Sequence, residues 1–446
     1  MTQDARRTPL LLGILFGLAG MGSSSASVVL PDMAEGLGID VGVAAWSISL
    51  YVLMLAVTTA VYGRVADLVG VRLPLLVGLS LMAAGSLVSA LAPTFSVELV
   101  ARMAQGAGAA AVPVLGVTVL NQRFVGEVRG YALSRLAAVA AAVVCAGPFI
   151  GGVVDEVLGW RAVMALPVLG LVVVPALWGS LTREGSGERL DVFGAVLVAA
   201  TAGGLVLLVQ SPTTGLTVAV AGVVLLAVGG PAVAAWVRRR PDGFLPMELV
   251  RNTTVVRSAL AAAAIPAAWF SQLVVVPVIL QDEGWSTWQV GALLLPSIGV
   301  AALIPRVGGA LIARLGPARA LGLAGVLASV SLTLAALGAA FTAPVLFGLG
   351  LLFVTAAFGL GQPTLSAAVD DAVDQRVRGV ALGIATLLFL VGGSVGSAAV
   401  VGLGLLLGTT GALAVLVALP LLGLLALRPL VVDPPDRADA SVPDAA

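Results

Sequence analysis

Lysine and histidine are both missing from this 446-residue chain, and cysteine occurs once. Without lysine there is no Walker A lysine to hold a nucleotide's phosphates, which excludes a P-loop motor carried on the chain itself. Without histidine, and with Cys145 alone, zinc ligation, a histidine proton relay and an intrachain disulfide are excluded. Cys145 falls inside an apolar run and reads as a small packing residue that says nothing of redox compartment. Charge is sparse as well: charged residues are 10% of the chain and sum to zero, so there is no basic footprint for nucleic acid. Neither a metal nor a cofactor is implied.

What the chain has instead is apolar length. Apolar residues make up 59% of it and gather into fourteen long runs. A run of about 20 crosses the ~30 Å hydrocarbon core of a bilayer as a helix, and a helix satisfies its own backbone there. The expected spans are 10–30, 44–62, 73–92, 97–120, 131–154, 160–179, 192–209, 215–237, 259–280, 290–312, 318–339, 344–363, 380–407 and 411–427. Span 7 is short, and span 13 is long enough to tilt. The first run is too long for a signal-peptide core and reads as a retained helix. The fold class is an all-α polytopic membrane protein, and the Pro- and Asp-rich stretch 429–446 reads as a disordered tail.

Arginine sets the orientation. With the N-terminus inside, Arg6, Arg7, Arg64, Arg72, Arg123, Arg129, Arg183, Arg189, Arg238 to Arg240, Arg251, Arg257, Arg314, Arg319, Arg376, Arg378, Arg428 and Arg437 all fall on the cytoplasmic side. The opposite loops carry Asp32, Glu35, Asp40, Asp155, Glu156, Asp282 and Glu283. The positive-inside rule therefore puts both termini in the cytoplasm. Abundant alanine, glycine and arginine without lysine suggests a GC-rich bacterial genome, and hence a plasma membrane.

The two ends of the chain repeat each other. Arg129-Gly-Tyr-Ala-Leu-Ser opens span 5 and Arg378-Gly-Val-Ala-Leu-Gly opens span 13, an offset of 249. Gly63-Arg-Val-Ala-Asp-Leu-Val-Gly70 has its counterpart in Gly309-Ala-Leu-Ile-Ala-Arg-Leu-Gly316, an offset of 246. Two six-helix bundles (1–180 and 257–428) joined by an inserted two-helix linker (181–256) follow from this, ahead of the tail (429–446). Such a layout places a substrate site near the midplane between halves.

Three motifs carry a family resemblance over nearly the whole chain. Gly63-Arg-Val-Ala-Asp67-Leu-Val-Gly70-Val-Arg72 matches the GxxxDxxGxR signature of the major facilitator superfamily. Arg102-Met-Ala-Gln105-Gly106-Ala-Gly108-Ala-Ala is similar to its RxxQGxGAA pattern. Gly147-Pro148-Phe-Ile-Gly151-Gly152 matches the GPxxGG core of its antiporters, although Val143 stands where a glycine is usual. Ser25 to Pro31 with Trp46 and Tyr51, and Arg189-Leu-Asp191-Val-Phe-Gly194 ahead of span 7, resemble the fourteen-span drug:proton antiporters. The resemblance implies that Gly63, Asp67, Gly70 and Arg72 form a conformational latch and that Gly147, Pro148, Gly151 and Gly152 go with export.

One departure bears on chemistry. Many such exporters carry an acid in span 1 nine residues before the proline, and this chain has Gly22 there, amid Ser23, Ser24, Ser25 and Ser27. No acid stands near the middle of any span. Arg102 lies several residues inside span 4, where a charge costs about 2.5–3.5 kcal/mol on insertion scales and needs a partner or a watery cavity. Arg102, Gln105, Asp32 and Glu98 are the candidates for coupling or substrate contact. Ser23, Ser24, Ser27, Tyr51, Trp269, Gln272 and Gln362 are the candidate pocket lining. The reading is a secondary-active exporter, a proton-coupled antiporter of small amphipathic organic compounds, with neutral or anionic substrates favoured. Its partners are the substrate, protons and the lipid bilayer, with no nucleic acid, and it acts as a monomer and not as an enzyme. A lipid flippase or uncoupled facilitator is the alternative, and a membrane-embedded enzyme or receptor the remote one.

Overall fold

A computed structural model describes residues 3–180, 191–240, 243–374 and 378–432. The linker stretch 182–190, with Arg183 and Arg189, and residues 433–446 of the tail lie outside the described residues, as do the side chains of Arg64 and Asp67.

Among the described residues, thirteen helical segments are long and apolar enough to cross a bilayer, and no strand occurs. Spans 1 to 6 are Gln3–Val28, Val41–Gly63, Arg72–Ala90, Phe95–Arg123, Val128–Leu158 and Trp160–Leu177. Spans 7 and 8 are Phe193–Thr213 and Leu216–Arg239, and spans 9 to 12 are Thr253–Asp282, Thr287–Leu315, Pro317–Phe341 and Pro344–Asp370. The last segment, Val380–Val431, runs for 52 residues. As one helix it would be about 78 Å long, more than twice the hydrocarbon core. Gly408 interrupts it with φ 73°, a left-handed conformation that no helix interior holds.

Several helices extend beyond their apolar runs, because charge ends a hydropathy window without ending a helix. Span 1 begins at Gln3 rather than near residue 10, and its first turn is held by Asp4, which accepts hydrogen bonds from Arg123 Nε (2.6 Å) and Thr8 Oγ1 (2.9 Å). Side-chain caps set other starts. Asp40 accepts from Gly42 N, Asn252 from Val255 N, and Gln289 Oε1 from Ser286 N (2.9 Å).

Two pairs form the centre of the molecule: span 1 lies along span 5, and span 9 along span 13. Span 9 is 83% buried over its apolar window, whereas span 8 of the inserted pair is 11% buried. Small residues let the central helices close. In the arginine-rich half of the membrane, span 1 supplies the glycines: a methyl group on Gly17 would stand 2.3 Å from Val143 Cβ. The valine in place of the usual motif glycine is thus accommodated by a glycine opposite it. Toward the acidic face span 5 supplies them, with Gly147 against Ser24 and Gly151 against Ser25. Span 13 repeats the device at an offset of 245, where methyl groups on Gly392 and Gly396 would meet the carbonyl oxygens of Ala263 and Ala267 at 2.0 and 2.2 Å.

The halves meet where span 5 touches span 10 and span 13 touches span 2. At the first contact Gly152 lies on Thr287 and Gly291 on Pro148, in each case at a distance that leaves no room for a methyl group. At the second, Ser394 Oγ donates to Ser49 O (2.7 Å), and the Ser49 and Ser397 hydroxyls share a bond of 3.0 Å. Toward the acidic face Gln281 Nε2 also donates to Val28 O (2.7 Å).

Candidate functional site

The polar centre of the first half is built on span 4. Arg102 is wholly buried, so its guanidinium does not reach an interface. Its Nε donates to Ser47 O (3.2 Å), its Nη1 donates to Gln105 Oε1 (2.5 Å), and its cation lies 4.5 Å from the centre of the Tyr51 ring. Gln105 Nε2 donates to Ser86 Oγ (2.8 Å), which donates in turn to Met82 O (2.8 Å). Glu98, one turn away on the same helix, is also wholly buried and accepts from Ser89 Oγ at 2.6 Å. A buried charge is tolerated when an opposite charge and hydrogen bonds surround it, and Arg102 has both. Three atoms here lack a hydrogen-bond partner: Arg102 Nη2, Glu98 Oε1 and Ser47 Oγ.

The motif's glycines make this node possible. Gly106 lets the backbone of Tyr51 come so close that a methyl group would be 2.3 Å from Tyr51 O, and Gly108 packs equally tightly on Gly78 O and Met82 N. Spans 2 and 3 are thereby drawn onto Arg102 and Gln105. Tyr51 also explains the glycine at position 22. Its hydroxyl donates to Ala19 O (2.7 Å), and a Cβ on Gly22 would meet that hydroxyl at 3.0 Å. The phenol fills the space beside Gly22. The neighbouring serines bond to backbone carbonyls: Ser23 to Gly20, Ser24 to Val144 across to span 5, Ser25 to Met21 and Ser27 to Ser24.

In the second half, Gln272 of span 9 is wholly buried. Its Nε2 donates to Ala268 O (3.1 Å) and Ser331 Oγ (2.7 Å), and Ser331 Oγ donates to Gly350 O (2.6 Å). Gln272 Oε1 has no partner. Ser86 and Ser331 are 245 positions apart, as are Gln105 and Gly350, so corresponding places on spans 3 and 4 and on spans 11 and 12 carry corresponding polar nodes. Gln272 and Ser27 pack with Leu273, Pro277, Leu294 and Leu351 where the halves meet, with no room for a water between them, and Gln272 Oε1 lies toward Gly350, where an added Cβ would stand 3.1 Å away. Trp269 is buried nearby in an aromatic row with Phe358 and Phe389, at centroid spacings of 5.7 and 5.3 Å, and Gln362 is half-buried.

Of the remaining candidates, Asp32 lies toward the acidic end, beside Asp155 and 3.4 Å from Thr287 Oγ1 of the other half. In the latch motif Gly70 ends the span 2 helix with φ 79°, and the Arg72 guanidinium stacks 3.5 Å from the centre of the Trp178 ring. Asp191 has a structural part that the sequence did not reveal. Its carboxylate caps span 7 through Gly194 N (3.0 Å) and reaches Phe244 N (2.9 Å) and Trp236 Nε1 (3.0 Å), tying the arginine-rich ends of the inserted pair together. Burial raises its pKa, and the three donors with nearby Arg240 more than offset that, holding it below 3.8. The serine contacts of span 13 were missed too, although Gly392-Gly393-Ser394-Val395-Gly396-Ser397 is legible as a degenerate copy of the span 5 motif once the offset is 245.

Comparisons with known proteins bear on this geometry. A family model described as Major Facilitator Superfamily matches residues 12–397. The multidrug resistance protein Stp of Mycobacterium tuberculosis (strain CDC 1551 / Oshkosh) is 30% identical over 325 residues, 70% of this chain and 60% of Stp, so the match spans less than two thirds of that relative. The tetracenomycin C resistance and export protein of Streptomyces glaucescens is 28% identical over 411 residues, 88% of this chain and 75% of that protein. Among solved structures, a peptide transporter POT in complex with sulfate superposes with a TM-score of 0.72 at 16% identity, covering 96% of this chain and 94% of that one, which speaks to the fold.

Proposed function

The chain belongs to the Major Facilitator Superfamily, and on that premise we propose that it is a secondary-active exporter of small amphipathic organic compounds such as antibiotics or secondary metabolites. The similarity to proteins named for drug resistance and antibiotic export supports the direction and class of transport. The observation that carries the reading is Arg102, a cation wholly buried in a packed helix bundle and held by a network drawn from spans 2, 3 and 4. A bundle needing only stability would do as well with an apolar residue there, since a buried ion pair seldom repays its desolvation.

In this reading the chain crosses a bacterial plasma membrane fourteen times, with a crossing on each side of Gly408 and both termini in the cytoplasm. The domains are the bundles 1–180 and 257–428, the linker pair 181–256 and the tail 429–446. The protein acts as a monomer. Spans 1 to 6 rock against spans 9 to 14, with the contacts of Ser49, Val28 and Thr287 closing the outer side. Gly63, Asp67, Gly70 and Arg72 latch the cytoplasmic side, and Gly147, Pro148, Gly151 and Gly152 serve the interface between the halves. Protons drive transport, with Glu98 and Asp32 as the acids that exchange them and Arg102 and Gln105 as the groups that answer. One charge crossing 100 mV is worth about 2.3 kcal/mol, roughly fiftyfold in concentration. A neutral compound exchanged for one proton draws on that term, and an anion leaving a negative interior does so unaided. A monovalent cation exchanged for one proton does not. Gly22 beside Tyr51, with no acid at that position, supports neutral or anionic substrates.

The test is drug accumulation in bacteria stripped of their own exporters. Cells making this protein should hold less of neutral or anionic antibiotics and an unchanged amount of quaternary ammonium dyes. Preference for the dyes would overturn the charge assignment, and lipid flipping in liposomes without drug export would replace the exporter by a flippase.

A further inference from the structure

We infer that the arginine-rich end of the inserted pair binds an anionic phospholipid of the surrounding bilayer, with its phosphate on Arg238, Arg239 and Arg240 and an acyl chain along a groove between spans 7 and 8. This goes beyond the exporter reading and does not depend on it. Span 8 closes on these three arginines, all exposed. Arg238 and Arg239 have no hydrogen-bond or ion-pair partner among the described residues. Arg240 holds its guanidinium 5.4 Å from the centre of the Trp236 ring, and Phe193 packs on that ring at 4.5 Å. One to two turns further into the membrane, Leu197, Val198, Val233 and Val237 line a shallow groove that is bordered by Trp236 and Arg240.

The charge at this end is not cancelled by acids. Asp191 is spent on Gly194 N, Trp236 Nε1 and Phe244 N, bonds that hold the walls of the groove together. Asp242, outside the described residues, is the acid next in sequence to the arginines, and the loop 182–190 balances Glu184 and Glu188 with Arg183 and Arg189. Three cations against two carboxylates leave a positive surface. Arginines at a helix end also set orientation and answer the helix dipole, but neither task calls for an apolar groove and a stacked tryptophan beside them. An anionic phospholipid uses all three features: guanidinium groups for the phosphate, an indole at the interface and aliphatic walls for the methylenes. A zwitterionic headgroup brings its own ammonium into the arginine cluster, and free phosphate has nothing to place in the groove. Span 8 is only 11% buried, so the described chain itself leaves this face open.

The test offers the purified full chain equal amounts of dioleoyl phosphatidylglycerol and dioleoyl phosphatidylcholine in detergent and counts the lipid retained by native mass spectrometry. Each arginine near the headgroup is worth about fivefold toward an anionic lipid, so the wild type should retain the glycerol lipid by at least about tenfold over the choline lipid. The triple variant Arg238→Gln, Arg239→Gln and Arg240→Gln should lose that preference. Removing two exposed arginines on the same side of the membrane, Arg314→Gln with Arg319→Gln, should leave it unchanged. No preference in the wild type, or an equal loss in both variants, overturns the inference. Excess inorganic phosphate should not displace the lipid, and displacement would turn the site into one for free phosphate. If the triple variant does not insert, Arg240→Gln alone serves, with a drop of about fivefold expected and an unchanged preference overturning the assignment.

Discussion

Each half of the molecule contains a glutamine whose NH₂ group is pinned by a serine on the third helix of that half, Ser86 in one and Ser331 in the other. The two differ in what meets the glutamine's oxygen. In the first half Arg102 Nη1 donates to it, while Arg102 Nη2 and Glu98 Oε1 stay without partners. In the second half nothing donates to it, and the oxygen lies toward Gly350 of span 12. The glutamines also come from different helices, for the place of Gln105 is taken by Gly350, and span 9 supplies Gln272 instead. A duplicated scaffold has thus kept the serine and changed the use of the amide, one copy holding a charge and the other leaving its oxygen without a donor.

The sharpest way to break the comparison is Arg102→Ala, which strands Glu98 and Gln105 Oε1 together. A loss of about 3–5 kcal/mol of stability and of transport is expected, read by thermal unfolding in detergent and by vesicle uptake. Arg102→Lys should not restore transport, since a single ammonium cannot bond Ser47 and Gln105 while stacking flat on Tyr51. The two glutamines should then part company. Gln105→Leu leaves a buried guanidinium nitrogen unpaired and should cost about 2–3 kcal/mol, whereas Gln272→Leu removes an orphaned oxygen together with two neutral hydrogen bonds, to Ala268 O and Ser331 Oγ, and should cost about 1–2 kcal/mol.

The glycine seams offer a parallel contrast. Gly392→Ala drives a methyl group into a backbone carbonyl, but Gly147→Ala meets the Ser24 hydroxyl, which can turn away. The span 13 change should cost about 1–3 kcal/mol and the span 5 change less, on the same unfolding assay. The smallest effect belongs to Asp191→Asn on the inserted pair. Because folding lowers the pKa of Asp191, its charge stabilises the fold above the unfolded value of 3.8, and that contribution disappears as pH falls through the lower folded value. The wild type should therefore exceed D191N in stability at neutral pH by about 1 kcal/mol, with the gap closing below pH 3.8.

Much of the fold was legible because bilayer helices announce themselves by length and apolarity. The limits were local. Span 1 starts seven residues earlier than its apolar run because Asp4 and Arg123 cover each other's charge, a pairing between distant positions that no window detects. The repeat was visible at two cytoplasmic motifs, with offsets of 246 and 249. The offset of 245 that aligns the span cores was hidden, because Pro148 faces Gly393 and Gly152 faces Ser397 in the copy. Arg102 announced itself by the cost of a charge in a span. Gln272 was legible as a polar residue within a span, but its partners Ser331 and Ala268 were not, since they come from the packing of spans 9 and 11.

The most direct test of the account is proton release from energised inverted vesicles on addition of a neutral antibiotic, for wild type beside Arg102→Ala at equal insertion. The account predicts release by the wild type and none by the variant. Equal release from both, or a response only to quaternary ammonium dyes, would contradict it.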